Sequence, residues 1–339
     1  MLFHHQDLAC GLGRFIIPNI WQDLRAKIVK IINDFYGNNI AQGFFPHLNE
    51  IELRQTILSE ISDLKVLNQN VKALRKEGYC AFIFDEIELQ SFSERDRSKL
   101  IYAISLALGY PTPTDPRQGK LLWDVKAREL PPGYFATFSE HSDRAELHTD
   151  TQYYPQPEDY FLLYTIRSAR CGGGKSILCN AYEIKERLLE TAEGAEAFKI
   201  LSTHLFPFRI PTTFTQKGTV NSIETTLAPI FNEQSEQPFI RFRYDTLEKG
   251  FKVRPDLETP EARQALRILD HVLENKVNVL NYYLSDDSLL LCDNHRILHG
   301  RTSYLDSQRH LIRVRMSNNP NPVTSRHQPV ASMAANGQP

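Results

Sequence analysis

The segment Ala145-Glu146-Leu147-His148-Thr149-Asp150-Thr151 places an imidazole and a carboxylate two residues apart. Side chains alternate along an extended segment, so His148 and Asp150 point to one side and can grip one metal ion from two directions. Taken alone, a His-Xaa-Asp fits an ordinary surface loop as well. A second segment, LLLCDNHRILHGRTSYLDSQRHLIRVR, runs from Leu289 to Arg315 and offers His299 as a third candidate ligand, after a strand-like run. Arg309 and Arg313 follow His299 by ten and fourteen residues. If that stretch is a strand, Arg309, Leu311, Arg313 and Arg315 share one face. A planar guanidinium fork suits a carboxylate. A solvated outer strand face would carry the same residues with no ligand.

Two imidazoles and one carboxylate on one face of a metal leave three positions open, the arrangement of non-haem Fe(II) oxygenases. 2-Oxoglutarate can fill two of them with its 1-carboxylate and ketone. Its distal carboxylate then needs a buried arginine nearby, and an arginine on the strand after the second histidine meets that need.

His148-Thr149-Asp150, then Asp293-Asn294-His295-Arg296-Ile297-Leu298-His299-Gly300-Arg301, then Arg309-His310-Leu311 resemble a known family over roughly residues 121–316. It is the group of Fe(II)/2-oxoglutarate dioxygenases that holds taurine dioxygenase, γ-butyrobetaine hydroxylase and clavaminate synthase. The resemblance implies a mainly β fold: a double-stranded β-helix (jelly-roll) core with flanking helices and a helix-bearing lid insertion. It implies His148, Asp150 and His299 as iron ligands and Arg309 as the residue that takes the distal carboxylate of 2-oxoglutarate. Ser176, after Gly172-Gly173-Gly174, matches a second contact to that co-substrate. Arg313 matches a position that binds either the substrate's acidic group or the near end of 2-oxoglutarate. The implied reaction consumes O2, converts 2-oxoglutarate to succinate and CO2, and hydroxylates an unactivated C–H bond; desaturation and cyclisation are alternative outcomes. Arg313 and Arg315 point to a small, amino-acid-like or otherwise anionic substrate, free or bound to a carrier protein. Phe239 to Tyr244 (FIRFRY) alternates apolar residues with arginines, so Arg243 can face the pocket; a strand with one wet face explains it equally.

Other readings compete. Ala169 to Ser176 (ARCGGGKS) fits a loose phosphate-loop pattern, but Ile177-Leu178-Cys179 follows as a β-like run where a phosphate loop opens a helix. His295, four residues before His299, reads as a hydrogen-bonded neighbour, and His141 as a loop residue. His310 should point away from the arginine face. A catalytically inactive jelly-roll binding module is a different class of answer; the retained Asp150 favours the enzyme.

The elements that must hold these residues are partly visible. Apolar residues recur at helical spacing over Ile20–Phe35 and Ser62–Lys76, and a third helix runs from Ser93 to Gly109. Short runs at Cys80–Phe84, Phe161–Ile166, Ile177–Cys179, Phe239–Tyr244, Leu289–Cys292 and Leu311–Met316 read as strands of a sandwich or barrel. One helix is expected from about Tyr182 to Leu201, and another after Thr259-Pro260. The expected organisation is one catalytic domain over 1–319. Its first part (1–110) is mostly helical, its core occupies 120–319 with an insertion at about 180–285, and 320–339 form a disordered tail.

Composition is consistent with this. The 339 residues carry 39 Lys+Arg against 41 Asp+Glu, a formal net charge of −2. Such balance excludes a strongly basic nucleic-acid or anionic-membrane surface. No run approaches the roughly 18 apolar residues of a membrane span, and the N-terminus does not read as a secretory signal. Cys10, Cys80, Cys171, Cys179 and Cys292 are scattered without a Cys-Xaa-Xaa-Cys, which argues against a disulfide framework or a zinc–sulfur site. A cytoplasmic protein is the expectation.

Overall fold

Helices form in the N-terminal part wherever apolar residues recur at helical spacing. α1 (Trp21–Tyr36) buries Ile28, Ile31 and Ile32. α2 (Glu50–Glu60) was not apparent from the sequence; it buries only Leu53 and Ile57, too thin a stripe to show a period. α3 (Ser62–Lys76) buries Leu64, Leu67 and Val71. α4 (Glu94–Leu108) starts where the Ser93 hydroxyl accepts the Asp96 amide at 3.2 Å and ends at Gly109. The structure is a computed structural model that describes residues 3–9, 11–17, 20–37, 43–47, 49–114, 118–129, 137–211, 224–234 and 238–320. The tail expected from 320 therefore lies, beyond residue 320, outside the described residues.

The larger sheet runs in the order β1 (Phe3–Ala9), β2 (Leu12–Ile16), β3 (Ala81–Phe84), β12 (Leu289–Asp293), β7 (Tyr160–Arg167), β14 (His310–Ser317), β4 (Tyr110–Thr112). β5 (Trp123–Val125) also pairs with β14. The smaller sheet runs β11 (Leu280–Tyr282), β8 (Ser176–Asn180), β13 (Ile297–Arg301), β6 (Ala145–His148). The two sheets share an apolar interior and form a jelly-roll core with flanking helices. Alternation sorts the core: Leu289, Leu291, Leu162, Ile312 and Val314 pack on the N-terminal helices, whereas Leu290, Cys292, Phe161 and Leu311 face the smaller sheet. The central strands are buried on both faces, so they read as continuous apolar runs. The same alternation turns Arg313 and Arg315 inward with Leu311.

Between β8 and β11 the chain adds α5 (Ala181–Leu189), α6 (Ala192–Thr203), the hairpin β9 (Phe206–Arg209)–β10 (Thr225–Ala228), α7 (Tyr244–Phe251) and α8 (Pro260–Asn275). These pack on the outer face of the smaller sheet through Cys179 and Leu298. Two expectations need correction here. The single helix over 182–201 is two, because Thr191 caps a new helix by accepting the Gly194 amide at 3.0 Å. Phe239–Tyr244 is not a strand. Its backbone bonds scatter: Ile240 donates to His295, Arg241 to Ile230, and Phe242 to the Thr149 hydroxyl. Tyr244 already begins α7.

One half-buried acid sits in the helical layer. The Tyr102 hydroxyl donates to Glu50 Oε1 at 3.1 Å, and Tyr36 donates to Tyr102 at 2.8 Å. Burial pushes the Glu50 carboxyl from 4.5 up to about 7, against the Tyr102 hydrogen bond. Between those values the folded chain holds a proton that the unfolded chain has lost, so stability falls as pH rises through the window. The full span is worth up to roughly 3 kcal/mol at 1.36 kcal/mol per pH unit. Denaturant unfolding at pH 5 and pH 8 should show Glu50→Gln with a flatter pH dependence than the parent; parallel curves would refute this.

Candidate active site

β6 and β13 lie antiparallel with His148 opposite His299, which brings the two rings to 4.2 Å between centroids. Asp150 follows on the turn after β6. His148 Nε2 lies 3.7 Å, and His299 Nε2 3.8 Å, from Asp150 Oδ1. Donor atoms of all three groups lie within 4.8 Å of one another, the single such His/Cys/Asp/Glu cluster among the described residues. The sequence motifs thus meet at one point.

Each group is prepared to coordinate. His148 Nδ1 donates to the Glu146 carbonyl at 2.7 Å, which orients the ring with Nε2 toward Asp150. Burial, followed by the neighbouring His148, holds His299 well below the usual imidazole range, so it is neutral. Burial raises the Asp150 carboxyl, but the Arg315 and Arg313 guanidiniums outweigh it and keep it well below its usual range. Arg315 Nε donates to Asp150 Oδ2 at 2.8 Å, and Arg313 Nη1 lies 3.4 Å from the same oxygen. Oδ1 is thereby turned toward the histidines. Glu158, 1% exposed, adds a second carboxylate whose field also reaches both arginines. These donors, two imidazoles and an anionic carboxylate, fit one divalent ion.

Arg309 lies one residue ahead of β14 rather than within it. A register shift separates His310 from Leu311, and the Arg309 amide bonds back to Asp306 at 3.1 Å, so Arg309 sits on a turn ahead of β14. His310, as expected, points outward, to Asp124 at 2.6 Å. The Arg309 guanidinium lies 5.0 Å from the Tyr304 ring centroid and 3.5 Å from the Gly174 carbonyl. It is 4% exposed, its Nη1 has no partner, and no carboxylate pairs with it among the described residues. Burial, then Arg301, pushes its pKa down to about 10. A buried cation without a counter-ion is costly unless an anion arrives. A carboxylate would supply the missing counter-ion.

The glycine run serves that pocket. At Gly174, with φ of 71°, a Cβ would come within 2.8 Å of Arg309 Nε. Ser176 then opens β8 opposite Arg301, and the next helix starts only at Ala181. Strand, not helix, follows the glycines, so the phosphate-loop alternative loses its structural basis. Lys175 bonds through its amide to the Thr302 hydroxyl at 3.0 Å.

On the insertion side, Arg243 precedes α7 and stacks on Phe138 at 4.1 Å, while its Nε donates to Asp245 at 2.6 Å. Phe138 in turn lies edge-on to His148 at 5.0 Å. Arg243 therefore reaches the rim of the site through an aromatic ring, from a loop rather than a strand. His141 packs on Phe138, 5.6 Å between centroids. His295 Nε2 bonds to the Pro157 carbonyl at 3.3 Å, outside the donor cluster. Arg301, Tyr304, Phe138, Glu158 and Asn294 were not singled out in the sequence. Their partners are far apart along the chain, and only the Asp-Asn-His turn beside the second histidine carried any local hint. The sequence offers Arg315 as a substrate contact; its Nε donates instead to Asp150.

A model of the family described as "Taurine catabolism dioxygenase TauD, TfdA family" matches residues 59–315. No curated protein matches the sequence. Among solved structures, asparagine oxygenase in complex with Fe(II), 3-hydroxyasparagine and succinate is 16% identical, with a TM-score of 0.65 over 90% of this chain and 93% of that one. The non-heme iron oxygenase OrfP with Fe and alpha-ketoglutaric acid is 14% identical, with a TM-score of 0.65 over 93% and 99%. Another OrfP structure holds Fe, succinate and (3S)-hydroxy-L-Arg, with a TM-score of 0.61 at 14% identity over 90% and 94%.

Proposed function

This chain belongs to the taurine catabolism dioxygenase TauD, TfdA family as an Fe(II)/2-oxoglutarate-dependent dioxygenase, and from that premise we propose that it hydroxylates an unactivated C–H bond of a small amino-acid-like or otherwise anionic metabolite. The observation that carries the reading is the pairing of a convergent His-Asp-His cluster with a buried arginine that lacks a counter-ion among the described residues. His148, Asp150 and His299 would hold the iron, and Arg309 with Ser176 the distal carboxylate of 2-oxoglutarate. Fe(II) and 2-oxoglutarate supply the O2-dependent oxidation of the C–H bond, with release of succinate and CO2.

The chain's own work is placement and exclusion. Arg309 orients the co-substrate by a two-pronged contact. Phe138 shields His148 from water. Arg313, whose Nε is buried without a partner, and Arg243 at the rim bind the acidic end of the substrate. An amino-acid substrate is supported by the hydroxyasparagine and hydroxyarginine held by the two similar oxygenases. Residues 1–319 act as one catalytic domain with the 180–285 insertion as lid, and the substrate is taken as a small molecule, free or on a carrier protein. No helix among the described residues is long and apolar enough to cross a membrane.

The test is a panel of amino acids and other small carboxylates and sulfonates, incubated with Fe(II), 2-oxoglutarate and O2. One of them should raise succinate formation above the uncoupled rate and gain one oxygen atom. Stimulation only by uncharged compounds would overturn the substrate class. With the substrate in hand, Arg243→Ala and Arg313→Ala should each raise its KM by about tenfold or more, the loss of one charged contact of ~1.4 kcal/mol or above. Unchanged KM in both would remove the arginines from the substrate site.

A further inference from the structure

Asp150 stands on a turn that its own backbone does not favour. Thr151, the next residue, has φ of 50°, a left-handed conformation that a β-branched residue rarely takes. Something must hold it. Asn294 Oδ1 accepts the Asp150 amide at 2.7 Å, and its Nδ2 donates to the Asp150 carbonyl at 3.1 Å and the Glu158 carbonyl at 2.8 Å. One side chain, 1% exposed, thus satisfies both backbone groups of Asp150 and ties the loop's two ends together. Within the loop, the Thr151 hydroxyl donates to Glu158, and the Tyr154 amide to the Thr151 carbonyl at 2.8 Å.

Asn294 is itself anchored from outside the jelly roll. It lies in the turn between β12 and β13, and its amide donates to the Asp159 carbonyl at 2.8 Å. The neighbouring Asp293 takes a fork from Arg75 of α3, Nε at 3.0 Å and Nη2 at 2.6 Å, on one carboxylate oxygen. Its other oxygen accepts the His295 amide at 3.0 Å. Arg75 also stacks on Tyr160 at 4.6 Å and donates to its hydroxyl.

We propose that Asn294 is the positioning residue for Asp150, and that Arg75 keeps Asn294 in place, so that the N-terminal helical layer contributes to metal affinity without touching the metal. The inference rests on the reading of Asp150 as an iron ligand. Removing the amide leaves two buried backbone groups of the ligand residue without partners beside an unfavourable turn. Loss of an outer partner of a metal ligand typically weakens affinity by about 10- to 100-fold.

The test titrates Co(II) anaerobically into the full chain stripped of metal and follows the visible absorption of the bound ion, with thermal unfolding in parallel. Asn294→Ala should raise the Kd for Co(II) by roughly 10- to 100-fold and change the spectrum. Arg75→Gln should raise it less, by about threefold or more, with the order of the two kept. A residue that is merely structural would lower the Tm and leave Kd and spectrum alone. Parental Kd and spectrum in Asn294→Ala therefore overturn the proposal. If Asn294→Ala shows no cooperative unfolding, Arg75→Gln decides, and a parental Kd there overturns it. If the parent chain binds no Co(II), the ligand assignment has failed and the proposal falls with it; parental binding with unmoved variants sinks the proposal alone.

Discussion

Arg309→Ala should raise the Kd for 2-oxoglutarate by roughly thirty- to several-thousand-fold, with a smaller change in substrate affinity. The range follows from about 2–5 kcal/mol for truncating one partner of a buried charged pair, at ~1.4 kcal/mol per tenfold. The upper part is expected because Arg309 has no carboxylate partner among the described residues. Arg309→Lys should recover only part of the loss, since an ammonium keeps the charge but not the fork. Binding would be measured by calorimetry on metal-loaded protein without O2. Arg313→Ala is the internal control: its guanidinium already shares Asp150, at 3.4 Å, and should matter less to 2-oxoglutarate. If Arg313→Ala loses the co-substrate and Arg309→Ala keeps it, the roles of the two arginines are exchanged.

The second large effect concerns the metal. His148→Ala or His299→Ala should abolish both metal binding and turnover, and Asp150→Ala should abolish hydroxylation. With three protein donors, loss of one leaves two, too few to fix an ion facing three open positions. Both histidines sit on paired strands, so alanine there keeps the backbone ladder between β6 and β13. Metal content after dialysis and succinate formation would be read together. Iron-dependent succinate formation at the parental rate in both histidine variants would falsify the assignment.

The fold was legible where a single period governs a long segment. α1, α3 and α8 show their stripes because each buries several residues on one face. α2 does not, and a six-residue alternation at 239–244 mimicked a strand although its hydrogen bonds go to three unrelated segments. The metal cluster was legible for a local reason: a two-residue spacing on one extended segment and one histidine on a strand. The arginines were legible as types, and Arg315 alone is tied to a different partner, Asp150. The strand they were expected to share begins only at His310, one residue after Arg309, which is buried against Gly174 and Tyr304. Asn294 was illegible as a clamp because the residue it holds lies 144 positions earlier in the chain.

The surplus of guanidinium over carboxylate around the site has a thermodynamic consequence. Arg301, Arg309 and Arg315 are buried there and Arg313 is half-buried, against Asp150 and Glu158, with His299 neutral. A divalent cation entering alone adds two positive charges to a region already short of negative ones, and desolvated charges are screened little. A dicarboxylate brings two negative charges to the same region. Each ligand therefore lowers the free energy of admitting the other, and by linkage the factor is the same whichever binds first. The affinity of this chain for its metal is then not a fixed property of three donor atoms. It rises with the concentration of the dicarboxylate around it, so the loaded state tracks the supply of both ligands together.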